Sequence, residues 1–349
     1  KFVICVTITM IIVSLPIKVL AGIIRDTELE AGLQRLMEPL IASAGFTPNS
    51  ITARIIIDPN YNAFVAGEKI IYINSGLILE AQSIEEIIGV LAHEIGHIKA
   101  GHVPRRDTAI ADAISANALA TIAAIALAAS GSGDAATGVL IGGQDQATRK
   151  LMQTIRYDES VADEIGLSLL DKSGISAIGL RDMMFRLARQ RALPENRQSQ
   201  YYTTHPGAAE RLSIYQDHVN QQADNIKPLS DDINKLSKRL EVKLRSHVES
   251  PQSILAHYND TNEPNHLYAT SIAYYRRGEL KMALRIINKL IGIAYEDAFF
   301  HEFRGDILLS MAKPRDAALA YKTAISYRPN SPQILLNYGR ALIASGQDS

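Results

Sequence analysis

The chain has 349 residues, 47% apolar and 21% charged, which excludes a disordered polymer and leaves room for two or three compact units. A formal net charge of −1 gives no overall electrostatic pull toward nucleic acid or an anionic membrane, so no nucleic-acid partner is expected. The single cysteine, Cys5, sits in the first segment, so the rest of the chain offers no disulfide and no thiolate ligand.

The first stretch, "KFVICVTITMIIVSLPIKVLAG", joins a positive start at Lys1 to an apolar run from Phe2 to Leu15. Small residues follow at Val19-Leu20-Ala21. The run is short for a spanning helix, which needs about 20 residues. The expectation is a cleaved signal peptide over 1–21, and therefore export.

Leu29, Leu33, Leu36 and Leu40 recur at helical spacing between Thr27 and Gly45. "ITARIIID", Ile51 to Asp58, is β-branched and predicts a strand; Asn62 to Asn74 predicts two short strands about Gly67. A capping box, Ser83 with Glu86, opens the next helix, whose buried face carries Ile84, Ile87, Ile88, Leu91, Ile95 and Ile98; Gly101 is its stop. This helix carries His93, Glu94 and His97 in the pattern H-E-x-x-H. Two imidazoles one turn apart converge on a point beside the helix, where zinc can bind, and the glutamate between them reaches a zinc-activated water. His102 is out of register with a third ligand at this helix end and is read as a bystander.

Ala109 to Ala129 is alanine-rich and apolar, with Asp112, Ser115, Asn117 and Thr121 interrupting it; a glycine-rich stretch read as flexible follows. Residues 109–144 are expected to form a helical hairpin. Whether it is a lid, a peripheral membrane contact or packing stays open. A long helix is predicted from Thr148 to Leu170, carrying Glu159 and Asp163 one turn apart. Glu159 borders an apolar stripe of Ile155, Ala162, Ile165 and Leu169, and a carboxylate there needs a partner. It is the expected third zinc ligand, with Asp163 accepting the second N–H of a ligand histidine. The competing reading is an exposed acidic face shared with Asp158 and Glu164. In "YTTHPGAAERL", Thr204 is the expected cap and Pro206 the first turn of a further helix.

Asn220 to Asp232 is polar and linker-like, and an amphipathic helix follows it. Beyond it the sequence repeats. Gly305, Ala317, Tyr321, Ala324 and Pro329 fit the small and aromatic positions of a 34-residue tetratricopeptide unit starting at residue 298. One period earlier, from Pro264, lie Ser271, Tyr274, Gly278 and Ala283; one period later, from Pro332, lie Gly339 and Leu342. Such units stack into a concave surface for peptides or protein partners.

"HEIGH", "ESVAD" and "THPGAAERL" together resemble the gluzincin peptidases of the CAAX prenyl protease type, most of all their periplasmic BepA-like members with C-terminal tetratricopeptide repeats. The resemblance implies His93, His97 and Glu159 as ligands of one Zn2+ per chain, Glu94 as catalytic base and Asp163 as the carboxylate behind a ligand. It implies an edge strand, Asn62, Ala63, Phe64, Val65 and Ala66, to which a substrate chain adds as a β-strand. His205 would stabilise the oxyanion or cover the open zinc position, and Arg211 would orient its loop by pairing with a carboxylate.

The expected fold is α+β, mostly α. A signal peptide (1–21) precedes a zincin-type peptidase domain (22–219) with a small sheet, then a linker and helix (220–262), then an α-solenoid of repeats (263–349), the last one truncated. The expected function is a periplasmic zinc endopeptidase cutting unfolded or misassembled envelope proteins, its repeats holding clients or outer-membrane assembly machinery. The alternative is a chaperone or adaptor with a silent metal site.

Overall fold

The computed structural model describes residues 22–67, 69–129, 133–194, 198–199, 201, 204–222, 226, 228–258 and 263–346. The expected signal peptide lies outside them. Helix α1 (Thr27–Ser43) starts where the Asp26 carboxylate accepts the N–H groups of Glu28 and Leu29 at 3.1 and 2.9 Å. Its four periodic leucines are buried. Strands β1 (Ile23–Ile24), β2 (Thr52–Ile56), β3 (Ala63–Ala66) and β4 (Ile70–Asn74) form one mixed sheet in the order β1-β2-β4-β3. β2 and β4 are parallel; β3 returns antiparallel on β4 with Phe64 opposite Tyr72, turned by Gly67 at φ 68°. β3 is therefore an edge, as the family resemblance implies.

Helix α2 (Ser75–Glu80) leads to α3 (Ile84–Ala100), whose inner face is buried from Ile84 to His97. Its start corrects the capping-box expectation. Ser83 makes no side-chain cap bond; Glu86 instead accepts the Gln82 N–H at 3.2 Å and both terminal nitrogens of Arg186. A bidentate arginine holds a buried carboxylate better than one backbone donor does, so it orients Glu86. Gly101, at φ 68°, ends the helix.

Helices α4 (His102–Ala129) and α5 (Gly133–Lys172) pack along each other as a long hairpin. Here too the structure differs from the sequence reading. The glycine-rich stretch is helical from Gly133 onward, because a bare backbone at Gly143 lets α5 lie directly against Ala120. α6 (Ile178–Arg189) and α7 (Ala208–Gln222) close the domain. α7 begins at Ala208 rather than near Thr204, since Gly207 at φ 88° interrupts the helix. The Thr204 hydroxyl meets His205 Nδ1 at 2.9 Å instead of capping.

Helices α8 (Asp231–Val248) and α9 (Pro251–His257) join the domain to α10 (Pro264–Arg276), α11 (Leu280–Ile293), α12 (Ala298–Ser310), α13 (Pro314–Tyr327) and α14 (Pro332–Ser345), consecutive antiparallel helices stacked as an α-solenoid. The small positions of the repeat have a visible cause: a methyl at Gly305 would stand 2.6 Å from the Tyr321 ring.

Buried charges join the solenoid to the peptidase domain. Lys243 on α8 meets Asp26 and Glu28 at 2.8 Å each, and the Tyr268 hydroxyl donates to Glu28 at 2.9 Å. The Thr27 hydroxyl donates to Glu302 at 2.6 Å. Burial pushes the Glu302 carboxyl up to about 7, against the pull of that hydrogen bond. A carboxyl raised this way contributes its full stability below its ordinary value of 4.5 and loses it as pH rises through about 7. Glu302→Gln keeps an acceptor for Thr27. It should raise the unfolding free energy at pH 8 by on the order of 2 kcal/mol and leave it unchanged below pH 4.5. Equal effects in calorimetry at the two pH values would contradict this account.

Candidate metal centre

The site forms where α3 crosses α5. The two helices meet at glycines: a methyl at Gly96 would lie 2.5 Å from the Ala162 carbonyl oxygen, and one at Gly166 would lie 3.2 Å from the His93 nitrogen. This close approach brings side chains far apart in sequence to one point. The Nε2 atoms of His93 and His97 are 3.1 Å apart, and the Glu159 oxygens lie 3.3 Å from the first and 3.4 Å from the second. Donors around a tetrahedral zinc with bonds of about 2.0–2.1 Å stand roughly 3.3–3.4 Å from one another. Two neutral imidazoles and a carboxylate at that spacing fit the ion. His205 joins them, with the four donor atoms all within 4.8 Å of one another and all four residues buried.

The surroundings hold these groups in orientation. His93 Nδ1 faces Asp163 at 2.9 Å, so its Nε2 is left to point at the cluster. Asp163 is itself clamped by Arg211, whose Nε and Nη2 donate to its two oxygens at 2.6 and 2.7 Å, and by the Tyr215 hydroxyl. Arg211 Nη1 also donates to Glu159 at 2.9 Å and to the His205 carbonyl at 3.3 Å. Burial raises the Asp163 carboxyl, but Arg211 and His93 outweigh it and hold it down at about 2. Burial disfavours a charged His93, yet its hydrogen bonds to Asp163 and Glu159 prevail and lift it to about 9. Protons and metal thus compete for His93.

Glu94 points to the other side. Its Oε1 is 3.4 Å from His205 Nε2, and the nearby histidines overcome burial to keep its carboxyl below the ordinary value. His205 stacks on Tyr201 with ring centroids 4.1 Å apart, and the Tyr201 N–H bonds the Tyr61 carbonyl at 3.1 Å, tying this loop to the start of β3. A cleft lined by Phe64, Val65, Ala66, Glu94, His97 and His205 opens along the edge strand. Asn62 carbonyl accepts from Asn74 N–H at 2.9 Å, so Asn62, Phe64 and Ala66 face β4, and Ala63 and Val65 turn their backbone groups outward.

The structure thus brings His93, His97, Glu159 and His205 into one cluster. Asp163 and Arg211 lie behind it, Glu94 beside it, and residues 63–66 along the cleft; Asn62 precedes the strand. The exposed acidic face is partly overturned: Asp158 is buried while Glu164 is exposed. His102 stays outside the four-donor cluster, as expected of it, but it is not idle. It is buried, its Nδ1 is 2.9 Å from His97 Nδ1, and its Nε2 is 3.7 Å from Asp158, which Arg105 meets at 2.7 Å. The left-handed Gly101 turns the chain back, which brings His102 against His97 although helical spacing would carry it away. Tyr201 and Tyr215 were also missed. Tyr215 had a signal, since it follows Arg211 by one turn; Tyr201 had none.

The profile of peptidase family M48 matches residues 27–217, more than half of the chain. A putative beta-barrel assembly-enhancing protease of Vibrio cholerae is 30% identical over 201 residues, 57% of this chain and 41% of its own length. Metalloprotease LoiP of Escherichia coli is 31% identical over 184 residues, 51% of this chain and 65% of its own. The chain therefore spans less than two thirds of either relative. The beta-barrel assembly-enhancing protease of Escherichia coli is 23% identical over 333 residues, 94% of this chain and 67% of its own length. The matched region contains both site-forming helices with their histidines, glutamates and the arginine behind them, and the chain belongs to peptidase family M48.

Proposed function

We propose that this chain is an exported, periplasmic zinc-dependent endopeptidase of the CAAX prenyl protease type, cutting unfolded or misassembled envelope proteins. One observation carries the reading: a buried carboxylate, Glu94, stands beside a four-donor metal cluster and is not part of it. A structural metal has no use for that group. His93, His97 and Glu159 hold the ion. Zinc, when bound, supplies Lewis acidity to water and to the scissile carbonyl. Glu94, kept ionised, takes the proton of the attacking water and passes it to the leaving nitrogen. Ala63 and Val65 pair with an extended substrate, which lays its backbone across the cleft. The names of the relatives, assembly-enhancing proteases among them, support clients from β-barrel assembly, held by the repeats.

Metal content tests the ligand set. The purified chain should bind one zinc, and Glu159→Ala should lose it. His102→Ala should keep a zinc but bind it about 10–100-fold more weakly, because His102 only steadies His97. Zinc content measured by mass spectrometry under chelator titration decides. Stoichiometric metal in Glu159→Ala removes the assignment. Bound zinc without any peptide hydrolysis would favour the adaptor reading.

A further inference from the structure

The α4–α5 hairpin is built inside out for a protein in water. Its helices touch through small residues: Ala109, Ala113, Ala120 and Ala124 turn toward α5, where Gly143 and Ala147 receive them. Among its described large aliphatic side chains between Ala109 and Gln144, all but the half-buried Leu140 point away from the partner helix. Ile114 is 64% exposed, Leu119 68%, Ile122 63%, Ile125 65% and Ile141 62%. A helix pair folding in water buries its large residues and shows its small ones; a pair packed in lipid does the reverse.

Three further observations select hydrocarbon over a protein partner. Asp134 is the only charged residue between Ala113 and Gln144. Within α4 alone, residues 113–129 rise about 25 Å, most of the roughly 30 Å of a bilayer's apolar core. At about 100° per residue, Ile110 through Ile125 spread over about half the circumference of α4, and Val139 and Ile141 lie on opposite sides of α5. A docking helix covers one stripe, whereas acyl chains cover every side. Hydroxyls within the hairpin also satisfy themselves on their own helices: Ser115 donates to the Ala111 carbonyl and Thr121 to that of Asn117, each at 2.8 Å. The segment Asp107–Ile125 is long and apolar enough to cross a membrane, and only 6% of it is buried. It is therefore not a core helix that happens to be apolar.

We propose that the α4–α5 hairpin from Ala113 to Gln144, with Asp134 near its tip as the one charge, inserts into the hydrocarbon of a lipid bilayer, entering and returning on the side where the peptidase domain sits. The base of the hairpin then marks the membrane surface. Val103 and Asp107 at that base line the same cleft as His97 and Glu94, so the cleft opens beside the lipid headgroups. This lipid contact stands whether or not the chain cuts peptide bonds.

The chain contains no tryptophan, so one indole introduced by Ile122→Trp reports on its own surroundings. The whole chain is mixed with vesicles of phosphatidylethanolamine and phosphatidylglycerol. Its emission should shift to the blue, be quenched by lipids brominated in their acyl chains, and the protein should float with the vesicles. Flotation should persist at high salt, because apolar burial rather than headgroup charge holds it; Arg149, for one, is already paired with Asp145 at 2.7 Å. Leu119→Asp combined with Ile122→Asp should reduce vesicle partitioning at least about tenfold while circular dichroism stays unchanged, since both side chains are exposed. An indole unmoved by vesicles overturns the proposal. So does a blue shift without lipid that grows with protein concentration, which would mean that a second copy covers the hairpin.

Discussion

Glu94→Gln should abolish hydrolysis of an unfolded protein by at least about 10³-fold while leaving the zinc in place. The substitution keeps the shape and volume of the side chain and removes only its ability to carry a proton. Glu94 is outside the four-donor cluster, so the metal should stay. The loss should fall on kcat with KM little changed, because Glu94 acts on the reacting water rather than on the ground-state complex. His205→Ala in the same assay separates the two roles open to that residue. A higher rate means that the imidazole covers the open position; a lower one means that it stabilises the transition state. Wild type and Glu94→Gln cleaving equally well, both loaded with zinc, would show that some other group is the base.

Much of this site was legible because local periodicity carries it. His93 and His97 sit one turn apart on α3, Glu159 and Asp163 one turn apart on α5, and those spacings alone predict which side chains point together. The solenoid was legible for a related reason, since a 34-residue period repeats the same small and aromatic contacts. What the sequence hid depends on tertiary approach. The glycines at 96 and 166 decide how near α3 and α5 come, yet Gly96 fills an unspecified position of H-E-x-x-H and Gly166 lies outside the quoted motifs. His102 and Asp158 touch only once that approach is made and Gly101 has turned the chain. The hairpin itself was expected, but not the way it faces: an alanine-rich pattern does not say whether the large residues point inward or outward, and the structure turns them outward.

Arg211→Met should destabilise the metal-free protein by about 3–5 kcal/mol, the largest stability effect expected in the peptidase domain. The guanidinium is buried, and it is the shared partner of Asp163, Glu159 and the His205 carbonyl. Its removal leaves two buried carboxylates, Asp163 and Glu159, to share the charge of His93, which is too little for both. The sign of the pH dependence follows. Asp163 is held down at about 2, so in the wild type it contributes stability above its ordinary value of 3.8, lost as pH falls through 2. Without Arg211 that contribution shrinks, so in urea melts the gap between wild type and variant should hold from pH 7 down to about 3.8 and close as pH drops from there toward 2. Lysine should not rescue the variant: one ammonium cannot reach both oxygens of Asp163 and Glu159 together, as the arginine fork does. Saturating zinc should restore part of the loss, since the metal compensates Glu159 but not Asp163. A pH-independent loss that zinc does not touch would instead make Arg211 a packing residue. The predicted pattern makes it the group that sets the charge of the site before the metal arrives.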